Sequence, residues 1–409
     1  MSRIKLVYII PLVVTLLALP LLGACAKPEE KVIKVGVAID TSGVAAGWGV
    51  PMTRSMQWLV DQENDKGGLL VGQDRYQLQL IVEDTRGTPE GAAAAAKKLV
   101  NVDKVNFVVG GIMGYTGLAI IAITEPAGVL FGTEADVAEL IHPDHSYTFR
   151  NTPSVEQIAT LAAWNQKHWP GVERVAIIYE HDEDGERMIP YLEKYHSTTL
   201  DLVAVEYAEL DQEDYRPVLS RVIKENPDAL DVGINPPAQM ALLMKQAREL
   251  GFQGPLWTVF PLSPSTIVEV AGKEAAEGVC GWTAPSEGPY APEMSKEIRA
   301  WYIDKFGQWD DAALAGDCCL AAFLQAIEAA GTTDTAEVIK VLESGMAFDT
   351  YFGKAPFDLE SFYGIPHQSV KPLAILEIHN GEARFIDNIP AQEQLELFDS
   401  LGWEAEWLK

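Results

Sequence analysis

Apolar positions repeat along this chain with two alternating periods. Residues 32–39 are an almost continuous apolar run broken by Lys34 and Gly36, followed by the turn Asp40-Thr41-Ser42-Gly43. This predicts a buried strand. Helical spacing then predicts a helix over 52–63, stopped at Gly67-Gly68, and alternation predicts a strand over 76–83. The same reading gives a helix over 89–100, a strand over 106–109, a helix over 116–124 and a strand over 128–131. The pattern restarts with helices over 155–168, 185–195, 215–225 and 237–250, interleaved with strands over 175–179, 202–207, 229–233 and 256–260. Helical material follows over 292–306, 312–330 and 335–344. The strands 373–379 and 383–387 flank Asn380-Gly381, a tight-turn pair that predicts a hairpin. Strands alternating with helices imply parallel sheets built from βαβ units, and two successive blocks imply two sheets with two cores. At roughly 150 residues per domain, 409 residues fit two or three domains.

The first 25 residues have a different character. Arg3 and Lys5 precede an apolar run over 7–22, which Pro11 and Pro20 interrupt. The run closes on Leu22-Gly23-Ala24-Cys25. A basic start, an apolar centre and small residues before a cut point describe an export signal. The ending resembles a bacterial lipoprotein signal, which implies lipid on Cys25 and places the rest of the chain outside the cytoplasm on a membrane surface. Residues 1–24 are then the signal and 25–31 a tether. Beyond them the apolar runs are expected to be core rather than membrane spans. The formal net charge of -28 argues against nucleic acid and against adhesion to anionic lipid, since both need clustered Lys and Arg. Cys280, Cys318 and Cys319 show no zinc spacing. The adjacent pair sits in an apolar helical pattern that favours small buried thiols; a bridge from Cys280 to one of them is the alternative.

The block order resembles the periplasmic binding proteins of the branched-chain amino-acid (leucine/isoleucine/valine) type that serve ABC importers. The residues that carry the likeness are Ile33-Lys34-Val35-Gly36-Val37 before the Asp40 turn, Asn64-Asp65-Lys66-Gly67-Gly68, Val82-Glu83-Asp84-Thr85 and Lys97-Lys98-Leu99-Val100. Arg150-Asn151-Thr152-Pro153-Ser154, the strand 175–179 and Gln246-Ala247-Arg248-Glu249-Leu250-Gly251 continue it. The resemblance implies an α/β fold of two Rossmann-like lobes joined by a three-stranded hinge, with crossings near Thr152, Pro285 and Lys371. Residues 32–152 and 286–370 form one lobe on this reading, and 153–285 and 371–409 the other.

The same resemblance suggests a site. Trp48 falls where relatives place an aromatic contact; it is either a ligand wall or a core tryptophan. Met113, Tyr115 and Thr116 stand at a strand-to-helix junction where relatives carry a serine pair for a ligand carboxylate. Free N–H groups at such a helix start favour an anion, although Thr116 also serves as a simple cap. Glu134, Ala135 and Asp136 follow the next strand; the two acids either meet a ligand cation or face water. In the second block Asp184, Asn235 and Phe260 occupy positions that relatives use for ligand contacts. The glutamate that holds a ligand ammonium in amino-acid binders is missing at Phe260-Pro261-Leu262. Either another acid replaces it or the ligand lacks that ammonium.

No nucleophile elbow, P-loop or zinc-protease motif occurs, and neither a cofactor nor a metal is expected. His181-Asp182-Glu183-Asp184 is a charge run in a loop, without ligand spacing. The expected function is an extracytoplasmic receptor, monomeric and not an enzyme. It would deliver a small carboxylate- or amide-bearing solute, such as a hydrophobic amino acid or an aromatic acid, to an ABC permease. A sensor partner for a membrane signalling protein and a hydrolase on the same lobes are the alternatives.

Overall fold

The computed structural model describes residues 31–209, 212–234, 237–317 and 319–408. Cys25 and its lipidation therefore lie outside the described residues, as do Asn235 and Cys318. The first block supplies β1 (Val32–Ile39), β2 (Leu69–Val71), β3 (Asp74–Asp84), β4 (Phe107–Gly110), β5 (Leu130–Thr133) and β6 (Thr148–Arg150). The second supplies β7 (Arg174–Glu180), β8 (Asp201–Ala208), β9 (Ala229–Gly233), β10 (Leu256–Pro261) and β11 (Val279–Thr283). Four short strands follow: β12 (Phe348–Thr350), β13 (Gly353–Ala355), β14 (Phe357–Asp358) and β15 (Gln368–Ser369). The hairpin β16 (Leu373–His379) and β17 (Glu382–Ile389) closes the series. Asn380 and Gly381 both take positive φ at its turn, as the pair predicts.

One sheet runs β14-β15-β6-β5-β4-β1-β3-β2 and the other β17-β16-β11-β10-β9-β7-β8. Each contains the same doubly wound core, β3-β1-β4-β5-β6 in one and β8-β7-β9-β10-β11 in the other. Ile33, Val35, Val37 and Ile39 are fully buried, as are Val175 to Tyr179 on β7, because helices cover both faces of each parallel sheet. The strand order reverses beside β1 and beside β7, and a doubly wound sheet binds ligands outside the carboxyl ends at such points.

Three segments pass between the sheets: from β6 to the helix Val155–His168, from β11 to the helix Glu293–Phe306, and from β15 to β16. Gln368 of β15 pairs in register with Arg150 of β6, so the first and third passages run side by side. The C-terminal helix Ala391–Leu401 and the turn after it lie across them. Phe398 and Ala405 are buried in one cluster with Ile141, Phe362 and Tyr363 of the first lobe and Ala159 and Tyr195 of the second.

The helix expected over 312–330 is two elements. A 3-10 segment, Asp311–Asp317, is followed by the α-helix Leu320–Ala330, with Cys319 at φ +66° between them. Gly316 lies directly on the helix Ala46–Asp65, where any β-carbon would overlap Ser55 Oγ. Asp317 Oδ1 then accepts the Ala321 N–H at 3.1 Å and starts the second helix. The span Asp311–Ala330 is long and apolar enough to cross a membrane by composition, but it is mostly buried in the first lobe. Cys280 and Cys319 are buried free thiols, so no bridge joins them.

Candidate ligand-binding site

The carboxyl ends of the two sheets face each other across a crevice. Its first wall begins where β1 ends. Asp40 is buried there and accepts the Gly87 N–H at 2.8 Å and the Thr85 hydroxyl. Burial raises its carboxyl above the ordinary range. Gly49 packs on the Asp40 carbonyl so closely that a β-carbon would clash. These contacts fix the first turn of the helix Ala46–Asp65, and Trp48 projects from that turn into the crevice.

A cavity of about 20 Å³ remains between the lobes. Trp48, Glu134, Thr152, Asp311, Leu314, Ala315 and Phe352 line it from the first lobe and the crossings. Pro261, Leu262, Ser263, Trp282, Thr283 and Ala284 line it from the second-lobe side. A volume of that size holds one water molecule. Trp282 and Phe352 stand 6.1 Å apart at 41°, a tilted pair. Leu262 is held by its N–H to the Trp282 carbonyl at 2.7 Å. Phe352 carries the buried Lys371 ammonium 3.8 Å from its ring centroid.

Two acids reach this cavity. Glu134, 8 % exposed, accepts a hydrogen bond from the Asn151 amide. Asp311 accepts from Trp309 Nε1 at 2.6 Å and from the Ser265 hydroxyl at 3.2 Å, the second bond spanning the lobes. Burial pushes the Asp311 carboxyl up despite those donors. The indole N–H of Trp48 is buried and has no acceptor among the described residues.

The residues expected from sequence separate into two groups. Trp48 and Glu134 line the cavity, together with Pro261 and Leu262 of the segment flagged for its missing glutamate. Met113, Tyr115 and Thr116 begin the helix Gly114–Ala127, which packs on the second-lobe helix Glu183–His196. The Thr116 hydroxyl donates to the Met113 carbonyl at 2.8 Å, within its own turn. Ala135 is fully buried, while Asp136 is half-buried and close enough to Tyr179 that its charge adds to the burial that raises that phenol. The side chains of Asp184 and Phe260 lie outside the described residues. In the charge run that contains Asp184, Asp182 caps its helix through the Gly185 N–H at 2.9 Å, and His181 bonds Glu209 at 2.6 Å. Among the described residues no cluster of three metal-binding side chains occurs.

Sequence reasoning missed Asp311, Trp282 and Phe352. Trp282 lies on β11, one residue before its end, in an apolar run too short to read as a strand from sequence. Asp311 heads the apolar stretch that reads as one helix. Phe352 sits in the turn between β12 and β13, with no local signal for a ligand contact.

Residues 32–383 match the family model described as periplasmic binding protein. The Leu/Ile/Val-binding protein BraC3 of Rhizobium johnstonii is 24 % identical over 329 residues, which cover 80 % of this chain and 87 % of that protein. The isoleucine complex of the branched-chain amino-acid transporter substrate-binding protein LivJ from Streptococcus pneumoniae superposes with a TM-score of 0.74 at 20 % identity, covering 88 % of this chain and 99 % of that one. A Rhodopseudomonas palustris BisB5 solute-binding protein of an ABC transporter, solved with 3,4-dihydroxybenzoic acid, superposes at 0.71 and 22 % identity over 88 % of this chain and 98 % of its own. The bilobed α/β architecture, the interlobe crevice and the match over nearly all described residues converge: the chain belongs to the periplasmic binding protein family, whose members bind solutes and catalyse no reaction.

Proposed function

We propose that this protein is the extracytoplasmic receptor of an ABC importer, held at the membrane by lipid on Cys25. It would capture a small solute with an apolar body and a polar head and present it to the permease. The observation that carries this reading is the cavity walled by both lobes. Aromatic and aliphatic side chains from Trp48, Leu314 and Phe352 on one side meet Leu262 and Trp282 on the other. Ligand sites are typically concave and mostly apolar, with a few polar groups that set orientation. A space of about 20 Å³ admits no organic solute, so entry requires the lobes to part. Their return excludes water and strengthens the polar contacts. Relatives named for leucine, isoleucine and valine, and a structural neighbour holding an aromatic acid, support small apolar solutes as the class.

Calorimetry on the lipid-free chain from residue 26, with branched-chain and aromatic amino acids, their amides and aromatic acids, tests the receptor reading. Binding of at least one solute at micromolar or tighter Kd supports it. Vesicles carrying the cognate permease should import that solute only when this chain is added. Import without the chain would sink the transport role.

A further inference from the structure

Charge around the cavity is one-sided. Asp311 and Glu134 both line it, and no lysine, arginine or histidine does so among the described residues. The cations close by have acids of their own. Arg299 stands outside the cavity and pairs with Glu287 at 3.3 Å, although its charge also reaches Asp311, and Lys371 offsets the buried Asp317 while resting on the Phe352 ring. Asp310, next to Asp311, adds to the negative side. Three aromatic side chains, Trp48, Trp282 and Phe352, complete the walls, and aromatic faces attract cations. The helix start at Gly114, the natural place for an anion, does not line this cavity, and the Thr116 hydroxyl there donates to the Met113 carbonyl. A free carboxylate brought into this cavity would meet two carboxylates and no cation. The buried Trp48 N–H, without an acceptor, calls for an oxygen on the solute.

We propose that the solute is a small organic cation without a free carboxylate: an amine with an apolar body and a neutral oxygen acceptor, such as an amide or hydroxyl. Asp311 and Glu134 hold its ammonium, and the Trp48 indole donates to its oxygen. This assignment rests on the receptor reading above and narrows it to one charge class.

Two matched series test it by calorimetry at neutral pH. One is leucinamide, leucine, 4-methylpentanamide and 4-methylpentanoate; the other is phenylalaninamide, phenylalanine, 3-phenylpropanamide and 3-phenylpropanoate. Within each series the body is constant and only the head charge changes. The cationic amide should bind at least about tenfold tighter than the zwitterion, and the anion should bind weakest. Asp311→Asn should lower affinity for the cation by about tenfold or more and leave the neutral amide within about twofold, with its far-UV spectrum unchanged. A zwitterion or anion that binds as tightly as the cation would overturn the inference and leave the receptor standing. Absence of binding by every member of both series would count against the receptor reading as well.

Discussion

Replacing Arg150 by methionine should loosen the hinge and measurably destabilise the fold. Arg150 is fully buried at the first crossing. Its guanidinium donates to the Val137 carbonyl at 2.6 Å, the Asp136 carbonyl at 3.1 Å, the Gln368 side-chain oxygen and the Tyr363 hydroxyl. Gln368 in turn donates to the carbonyls of Thr152 at 2.9 Å and Ser369 at 2.8 Å. One side chain thus fastens the first passage between the lobes to the third. Methionine keeps the length but leaves the two carbonyls and the Gln368 oxygen without this donor; Tyr363 keeps Ser154 at 2.7 Å. Each orphaned buried acceptor costs about 1–3 kcal/mol. Relief from burying a guanidinium returns several kcal/mol. The net loss is about 3 kcal/mol, which for a lobe of this size corresponds to a fall in Tm of about 6–12 °C. Scanning calorimetry of the ligand-free chain reads it. A fall of less than about 2 °C, well below that net loss, would refute the fastening role.

Trp48→Ala should weaken binding of the identified solute by about tenfold, since it removes one wall of the cavity; unchanged affinity by calorimetry would reject the wall. Burial lifts Asp311 above its ordinary 3.8, so the folded chain holds that proton more tightly than the unfolded chain does. Its contribution favours the fold in acid and is lost as pH rises through the lifted value. The Tm of Asp311→Asn relative to the native chain should therefore climb as pH rises above 3.8, and a difference independent of pH would contradict the sign. A chain ending at Pro390 loses Phe398, Ala405, the Trp403 ring 4.3 Å from Tyr195, and the Trp407 bond to the Tyr363 carbonyl at 3.1 Å. Its denaturant midpoint should fall by the equivalent of about 4 kcal/mol, and a midpoint equal to that of the full chain would show that the C-terminal segment does not brace the hinge.

The alternation of strands and helices is written locally, and so the two sheets were readable from the chain. Positive φ at Asn380 and Gly381 needs only those two residues, and the hairpin follows from them. The break at Cys319 was not readable, because its cause is remote. Gly316 is pressed against Ser55, more than two hundred residues earlier in the chain. The strand β11 and the helix Pro264–Ala271 escaped notice because each apolar run is short and lacks a distinctive period. The site divides in the same way. Trp48, Glu134 and the Pro261-Leu262 pair sit at strand ends, where topology alone directs attention. Trp282 reaches the cavity from β11, and Asp311 and Phe352 from segments that lie between the second and third passages, and no local pattern encodes their approach to it.

The most direct test of the account is a crystal structure of the protein saturated with a solute that binds it in calorimetry. The account predicts density for that solute between Trp48 and Glu134 on one lobe and Leu262 and Trp282 on the other, inside a crevice enlarged to fit it. Solute density in the open hollow around Lys245, Arg248 and Glu277 on the second lobe, with the interlobe crevice empty, would contradict it.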